Sequence, residues 1–280
     1  TTLSGEPRAA EKLDARIYKL KTPQTLLKER LWEKPDKPCL SEGQFKMLFP
    51  GEEYHREKDP FQWEREPALY HEILKTPENR QWTLKGLNQW ASGSYLIEIK
   101  TRYEYGNEIM AQKLFTLFSR KDTLPPVPSV DWVCLLTPVV RPGDKALILT
   151  GSSQDNVSWI CEENRRGQVS KPLNRTMARG QQIFEYPVTE NDRGGFTVNF
   201  YIPWRNRIYF HSLRINVPWD NKELEIQFET FRNKLYPGQE EEWKLKISGK
   251  KGEQKAAEMV ATLYDASLDA FRGHQWNASF

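Results

Sequence analysis

The feature that most limits what this chain can fold into is a turn that recurs. Arg141-Pro142-Gly143-Asp144 runs straight into Lys145-Ala146-Leu147-Ile148-Leu149-Thr150, and Tyr236-Pro237-Gly238-Gln239 runs through an acidic stretch into Trp243-Lys244-Leu245-Lys246-Ile247. The two prolines stand 237 − 142 = 95 residues apart. Proline presets φ at the first turn position and glycine takes positive φ at the next, so the pair marks a reversal that feeds a strand. A third pair, Phe49-Pro50-Gly51-Glu52, lies 142 − 50 = 92 residues earlier, although no alternating run comes after it. A repeat of roughly 100 residues is the length of one β-sandwich. The fold expected is therefore all-β: tandem immunoglobulin-like antiparallel sandwiches.

Length and composition agree. A chain of 280 residues suits two or three domains. Aromatic residues at 12% are too many for a disordered chain, while 28% charged residues and a mean hydropathy of −0.74 imply much surface relative to core, as in an elongated rod. The 41 basic and 38 acidic residues leave a net charge of +3 on a mixed surface. That excludes the concentrated field which nucleic acid or an anionic membrane selects. Three cysteines, Cys39, Cys134 and Cys161, cannot all pair within one chain. Cys134 and Cys161 could bridge, but half-buried thiols are the plainer reading. No apolar run reaches the ~20 residues of a membrane helix. No charged-then-apolar segment opens the chain, so Thr1 is read as following a processing or deletion point.

Along the chain, residues 1–11 lack periodicity and read as a tail. A first sandwich is expected over 12–120: a strand at 13–20, a poor pattern broken by seven prolines over 22–90, one helix at 68–75 opened by Pro67, and a hairpin of 93–100 with 109–118 turning at Tyr105-Gly106-Asn107-Glu108. The prolines of 121–130 predict a stiff linker. A second sandwich over 131–220 is predicted from strands at 132–136, 145–150, 156–162, 181–187, 195–201 and 209–217. The remaining 221–280 read as a truncated third sandwich beginning with Leu224-Glu225-Ile226-Gln227-Phe228.

Catalytic spacing is missing. His71-Glu72-Ile73-Leu74-Lys75 puts lysine where the zinc motif His-Glu-x-x-His needs its second ligand, and His55, His211 and His274 are scattered. No Gly-x-Ser-x-Gly elbow, phosphate-binding glycine loop or calcium loop occurs. Asp265 and Asp269 lie in or beside a run, 259–265, that alternates like a strand, which argues against a glycosidase pair. Cys161-Glu162-Glu163-Asn164 approaches the Cys-x-Glu-Gln of internal thioesters, but Asn164 is one carbon too short to close that ring. Of the ten tryptophans, Trp82, Trp132, Trp159 and Trp243 sit in or beside strand patterns and read as core. Trp63, Trp204, Trp219 and Trp276 have turn-like surroundings and are the candidate surface recognition residues.

The stretch 228–243, with Tyr236-Pro237-Gly238 at its centre, and the later Tyr264-Asp265-Ala266-Ser267-Leu268-Asp269 within 257–271 resemble the bacterial alpha-2-macroglobulin family. Gly93-Ser94-Tyr95 with its hairpin looks like the closing strands of a macroglobulin domain. The resemblance implies tandem macroglobulin domains from a large periplasmic or cell-surface protein that traps proteases through a bait segment and a thioester. Neither bait nor thioester is recognisable here, so none of the family's functional residues carries over. The expectation is a non-catalytic structural segment with no cofactor and no metal. Its partners would be other domains of the same parent protein and, through that parent, proteases; neither nucleic acid nor a membrane span is expected. The alternative is a cell-surface glycan-binding module using the four tryptophans, and a hydrolase ranks last.

Overall fold

The computed structural model describes residues 12–28, 31–33, 35–75, 82–102, 108–230, 236 and 238–249. The tail 1–11, the turn residues 105–107, His274, Trp276 and the stretch 257–271 with Asp265 and Asp269 lie outside them. The fold is all-β, antiparallel sheets forming tandem sandwich modules. The chain divides into two compact units, Thr1–Pro218 and Trp219–Phe280.

The first sheet is laid down by β1, Leu13–Leu20, whose alternation buries Ala15 and Ile17 completely. β1 is flanked by β2, Arg65–Leu74, and β3, Gly93–Arg102; β3 also pairs β4, Glu108–Leu117, giving the order β2-β1-β3-β4. The helix expected at 68–75 is thus a strand. Its pairing with β1 slips twice, so that Tyr18 faces Ala68 next to Ile17 facing Tyr70, and Leu20 faces Arg65. Each slip gives β2 one extra residue. The half-buried positions of β2 are Glu66, Tyr70 and Leu74, with Glu72 between the last two exposed, so the spacing of four imitates a helical stripe. Pro67 is tolerated because β2 is an edge strand and the proline stands at a bulge. The connection from β1 to β2 holds a helix, α1, Glu42–Leu48, which the proline-broken pattern hides. Ser41 and Gln44 cap it reciprocally, each side chain receiving a backbone N–H of the other.

The second module is a two-sheet sandwich. β5, Trp132–Leu135, β6, Lys145–Ser152, β7, Val157–Arg165, β8, Gln168–Val169, β9, Leu173–Met177, β10, Gly180–Pro187, β11, Phe196–Trp204, and β12, Arg207–Ile215, form it. One sheet has the order β10-β6-β5; the other is β12-β11-β7-β8, with β9 also on β7. Six of these strands match the expected positions; β8 and β9 are additional. β11 alternates without fault, burying Phe196, Val198, Phe200 and Ile202. These meet Trp159 and Val157 of β7, and Ala146, Ile148 and Tyr186 from the opposite sheet, in one core. Trp159 packs edge-on against Phe200 with ring centres 5.6 Å apart, and Phe184 of β10 reaches the same phenyl at 5.8 Å.

The second unit contains the hairpin pair β13, Leu224–Thr230, and β14, Lys244–Gly249. All three Pro-Gly sequences share one turn. Asp144 N–H donates to Arg141 O at 3.1 Å, Gln239 N–H to Tyr236 O at 3.0 Å, and Glu52 N–H to Phe49 O at 3.1 Å. Gly143, Gly238 and Gly51 have φ of 96°, 77° and 85°, as the second central position of a type II turn requires.

Two glycines with equal backbone demand should respond differently to substitution. At Gly143 the added Cβ meets open space, so Gly143→Ala should cost about 1 kcal/mol for its positive φ alone. At Gly195, φ 96°, a Cβ would lie 2.4 Å from Ile215 O, so Gly195→Ala should cost about 3 kcal/mol or more. Urea unfolding of both variants checks the order; equal midpoints would contradict it.

Candidate functional site

Within Thr1–Pro218, the chain between β1 and β2 is fastened to the second module around Glu52. Lys28 N–H donates to Gly51 O at 2.6 Å, Lys28 Nζ meets Glu52 Oε1 at 2.9 Å, and Arg207 at the start of β12 places Nη2 3.2 Å from the same oxygen. Glu52 is only 8% exposed, and Leu26 beside it packs against the sandwich core. A carboxylate so withdrawn from water is stable only because two cations and a turn hold it. The tight β11–β12 hairpin, with Arg205 and Asn206 at positive φ, sets Arg207 in place.

A second contact lies on the same module. His211 Nε2 stands 2.8 Å from Asp131 Oδ2, and Ser129 Oγ donates to Asp131 Oδ1 at 2.7 Å. Burial pushes the Asp131 carboxyl up, but the hydrogen bonds from His211 and Ser129, with the charges of His211 and Lys58, hold it below the usual aspartate range. The proline segment before Asp131 is fixed too. Gln181 of β10 donates to Asp122 O at 2.8 Å, Ser153 N–H donates to Ser129 O at 2.6 Å, and Pro125 lies so close to Gly151 that a Cβ there would be 3.0 Å from its ring. Stiffness expected from proline alone is reinforced by docking onto β6 and β10.

A cleft of about 300 Å³ opens beside α1, lined by Trp32, Pro35, Pro38, Cys39, Leu40, Phe45, Phe49 and Tyr54. Phe45 and Tyr54 form its buried floor, while Trp32 and Phe49 stand at its mouth, 49% and 40% exposed. The sequence pattern does not reveal this cluster because its rings are spread across a stretch with no period. The capping pair Ser41 and Gln44 is the available signal for α1, which carries Phe45.

Three of the four tryptophans singled out from sequence are held locally. Trp63 Nε1 donates to Glu57 O at 2.7 Å; the Arg205 guanidinium lies 4.7 Å above the Trp204 ring; in the second unit Lys222 Nζ lies 4.4 Å from the centre of the 46% exposed Trp219. Trp276 lies outside the described residues. His71 stands on β2 with Nε2 3.1 Å from Asp14. Among the described residues no three histidine, cysteine or carboxylate groups cluster to hold a metal. Cys39, Cys134 and Cys161 are free thiols. Burial pushes the Cys161 thiol up to about 11, against any nucleophilic use near neutrality.

No protein-family model matches the chain, and no curated protein matches it. Among solved structures it is similar to the native conformation of E. coli alpha-2-macroglobulin, at 14% identity and a TM-score of 0.34, over 88% of this chain and 14% of that one. It is also similar to a Ca2+-stabilized adhesin that helps an Antarctic bacterium reach out and bind ice, at 10% identity and a TM-score of 0.24, over 57% of this chain and 40% of that one. The chain thus spans a minor part of either protein.

Glu52→Gln should destabilise the chain by about 3 kcal/mol, because Lys28 and Arg207 lose their buried counter-charge. Lys145→Ala, which breaks the exposed pair with Glu185, should change stability by about 0.5 kcal/mol or less. Asp131 gives a pH test. Its folded pKa is depressed, so its contribution is fully present above the unfolded value of about 4 and is lost as pH falls through the folded one. Below about pH 4 the wild type should therefore lose stability more steeply than Asp131→Asn. Parallel acid titrations of the unfolding midpoint would refute this.

Proposed function

We propose that this chain is a non-catalytic structural segment of an alpha-2-macroglobulin-like protein of the cell envelope, one that traps proteases through parts outside these residues. The observation that carries the reading is the repeated turn. The same hydrogen-bonded Pro-Gly reversal recurs at Gly143 and Gly238, each ahead of a strand in an antiparallel module, at the spacing of one sandwich domain. The resemblance of 228–243 to the macroglobulin family supports the assignment to that family rather than to sandwich proteins in general.

On this reading the modules divide as a tail 1–11, a first sandwich 12–120, a linker 121–130, a second sandwich 131–220 and a partial third from 221. The parent lies in the periplasm or at the cell surface. Its other domains are the direct partners, and proteases are met only through the full-length protein. Glu52 with Arg207 and the docked linker suit the role, because a segment that relays position between distant parts must not bend at its joints.

Incubated with serine, cysteine and metalloproteases, the isolated chain should leave their activity on a protein substrate unchanged, whereas the full-length parent should shield them. Stoichiometric inhibition by the chain alone would end the proposal.

A further inference from the structure

Beyond a scaffold role, we propose that the excursion between β1 and β2 is a flap that swings as one body, hinged at Lys21 and Glu64 and latched to the second module by Glu52. It has the neck of a flap. Lys21 N–H donates to Glu64 O at 2.9 Å, and the ladder of β1 with β2 takes over where Leu20 faces Arg65, so the chain leaves and returns at one place. The bonds that shape it run from flap to flap. Phe45 N–H donates to Ser41 O at 2.9 Å, Glu52 N–H to Phe49 O at 3.1 Å, and Lys28 N–H to Gly51 O at 2.6 Å. The buried rings of Phe45 and Tyr54, 5.2 Å apart between centres, give it a small core of its own, and the Tyr54 hydroxyl donates to Leu40 O at 2.9 Å. Such a body keeps its shape when it moves, because what shapes it travels with it.

The parting line runs through Glu52. Lys28, on the flap, stands 2.9 Å from its Oε1, and Arg207, on β12, places Nη2 3.2 Å from the same oxygen. One cation leaves with the carboxylate while the other stays, so lifting the flap strands no bare carboxylate and returns Arg207 to water. A carboxylate held from its own body alone would latch nothing; one held from the far side alone would be too costly to release. Further along, the charge of Lys58 on the flap reaches Asp131, the partner of His211, and Leu26 packs against the sandwich core. Arg207, Tyr209 and His211 alternate onto one face of β12 and are half-buried. Tyr209 therefore stands between the two places that the flap's charges reach, and it is what the closed flap covers. Closed, the flap ties the first sheet to the second module; open, it leaves that task to the proline segment docked on β10.

Hydroxyl-radical footprinting of the whole 280-residue chain, read residue by residue by mass spectrometry, tests this. Glu52→Gln takes the charge from the latch and leaves Arg207 in place, and it should raise oxidation of Tyr209 about twofold or more. Tyr54, within the flap, and Trp159, within the sandwich core, should stay at wild-type levels, since both remain covered. Arg207→Lys keeps the charge but shortens the reach, and should move Tyr209 the same way by less. Lys145→Ala, at an exposed pair elsewhere, should move none of the three. Tyr209 oxidised at the wild-type rate in both latch variants would overturn the proposal. So would a rise at Tyr54 in step with Tyr209, the mark of a flap that melts rather than swings. Where Glu52→Gln also raises Trp159, the sandwich itself has opened, and Arg207→Lys decides by the same two tyrosines. The readout needs no protease, so it stands apart from the test of the scaffold role.

Discussion

A buried carboxylate is the constraint around which the first unit is arranged. Taking such a group out of water costs several kcal/mol unless opposite charge and hydrogen bonds meet it there. Glu52 meets Lys28 and Arg207, the latter 155 residues away in sequence. The same solution is used twice more. Glu98, 5% exposed, is held by Arg65 at 2.9 Å and Gln112 at 2.8 Å, and Asp192, also 5% exposed, by Arg165 at 2.7 Å. Each pair joins elements that are not hydrogen-bonded strand neighbours: β2 to β3 across β1, and β7 to the turn before β11. Apolar burial alone would let sheets slide, because it is non-directional. A planar guanidinium opposite a carboxylate does not permit that.

The proline segment 121–130 obeys the same logic with weaker bonds. Prolines 125, 126 and 128 limit its backbone, yet an extended proline segment with free ends would still swing about them. Asp122 prevents this by accepting from Ser119 N–H at 2.9 Å and from Ser92 Oγ, while its own carbonyl receives Gln181. The end of β4, the loop before β3 and the edge of β10 therefore converge on one aspartate. β6, buried along nearly its whole length, lies underneath with Gly151 as the point of closest approach. A side chain there would push Pro125 away from the sheet.

A strand is legible in the sequence when its period survives its pairing. β1 and β11 pair without interruption on at least one side, and their alternation places β1 at its observed bounds and β11 to within three residues at its far end. β2 is an edge strand whose alternate position Glu72 is exposed, and the spacing of four left between Glu66, Tyr70 and Leu74 reads as a helix. β8 and β9 escape for a different reason. At two and five residues, with every side chain but Met177 exposed, they are too short to show a period and are held by backbone pairing to β7. No local rule foresees the ion pairs, since nothing near Glu52 in sequence distinguishes it from Glu53. The cleft is hidden similarly: four aromatic residues at irregular spacing converge only once α1 and the Phe49–Glu52 turn have formed.

The Pro-Gly turn separates what is local from what is not. Turn geometry is decided within four residues, and it is the same at Gly51, Gly143 and Gly238 although their surroundings differ. Whether a strand grows out of the turn is decided by the next few side chains. After Gly143 the chain offers Ala146, Ile148 and Leu149 to be buried, and a long strand results. After Gly51 it offers Glu52, Glu53 and His55, which cannot line a core, so propagation stops at a single bridge between Glu52 and Lys28. The reversal there is put to another use: it withdraws one carboxylate from water and turns it toward the hairpin that carries Arg207. A recurring turn therefore marks where a strand can begin, and the alternation after it decides whether one does.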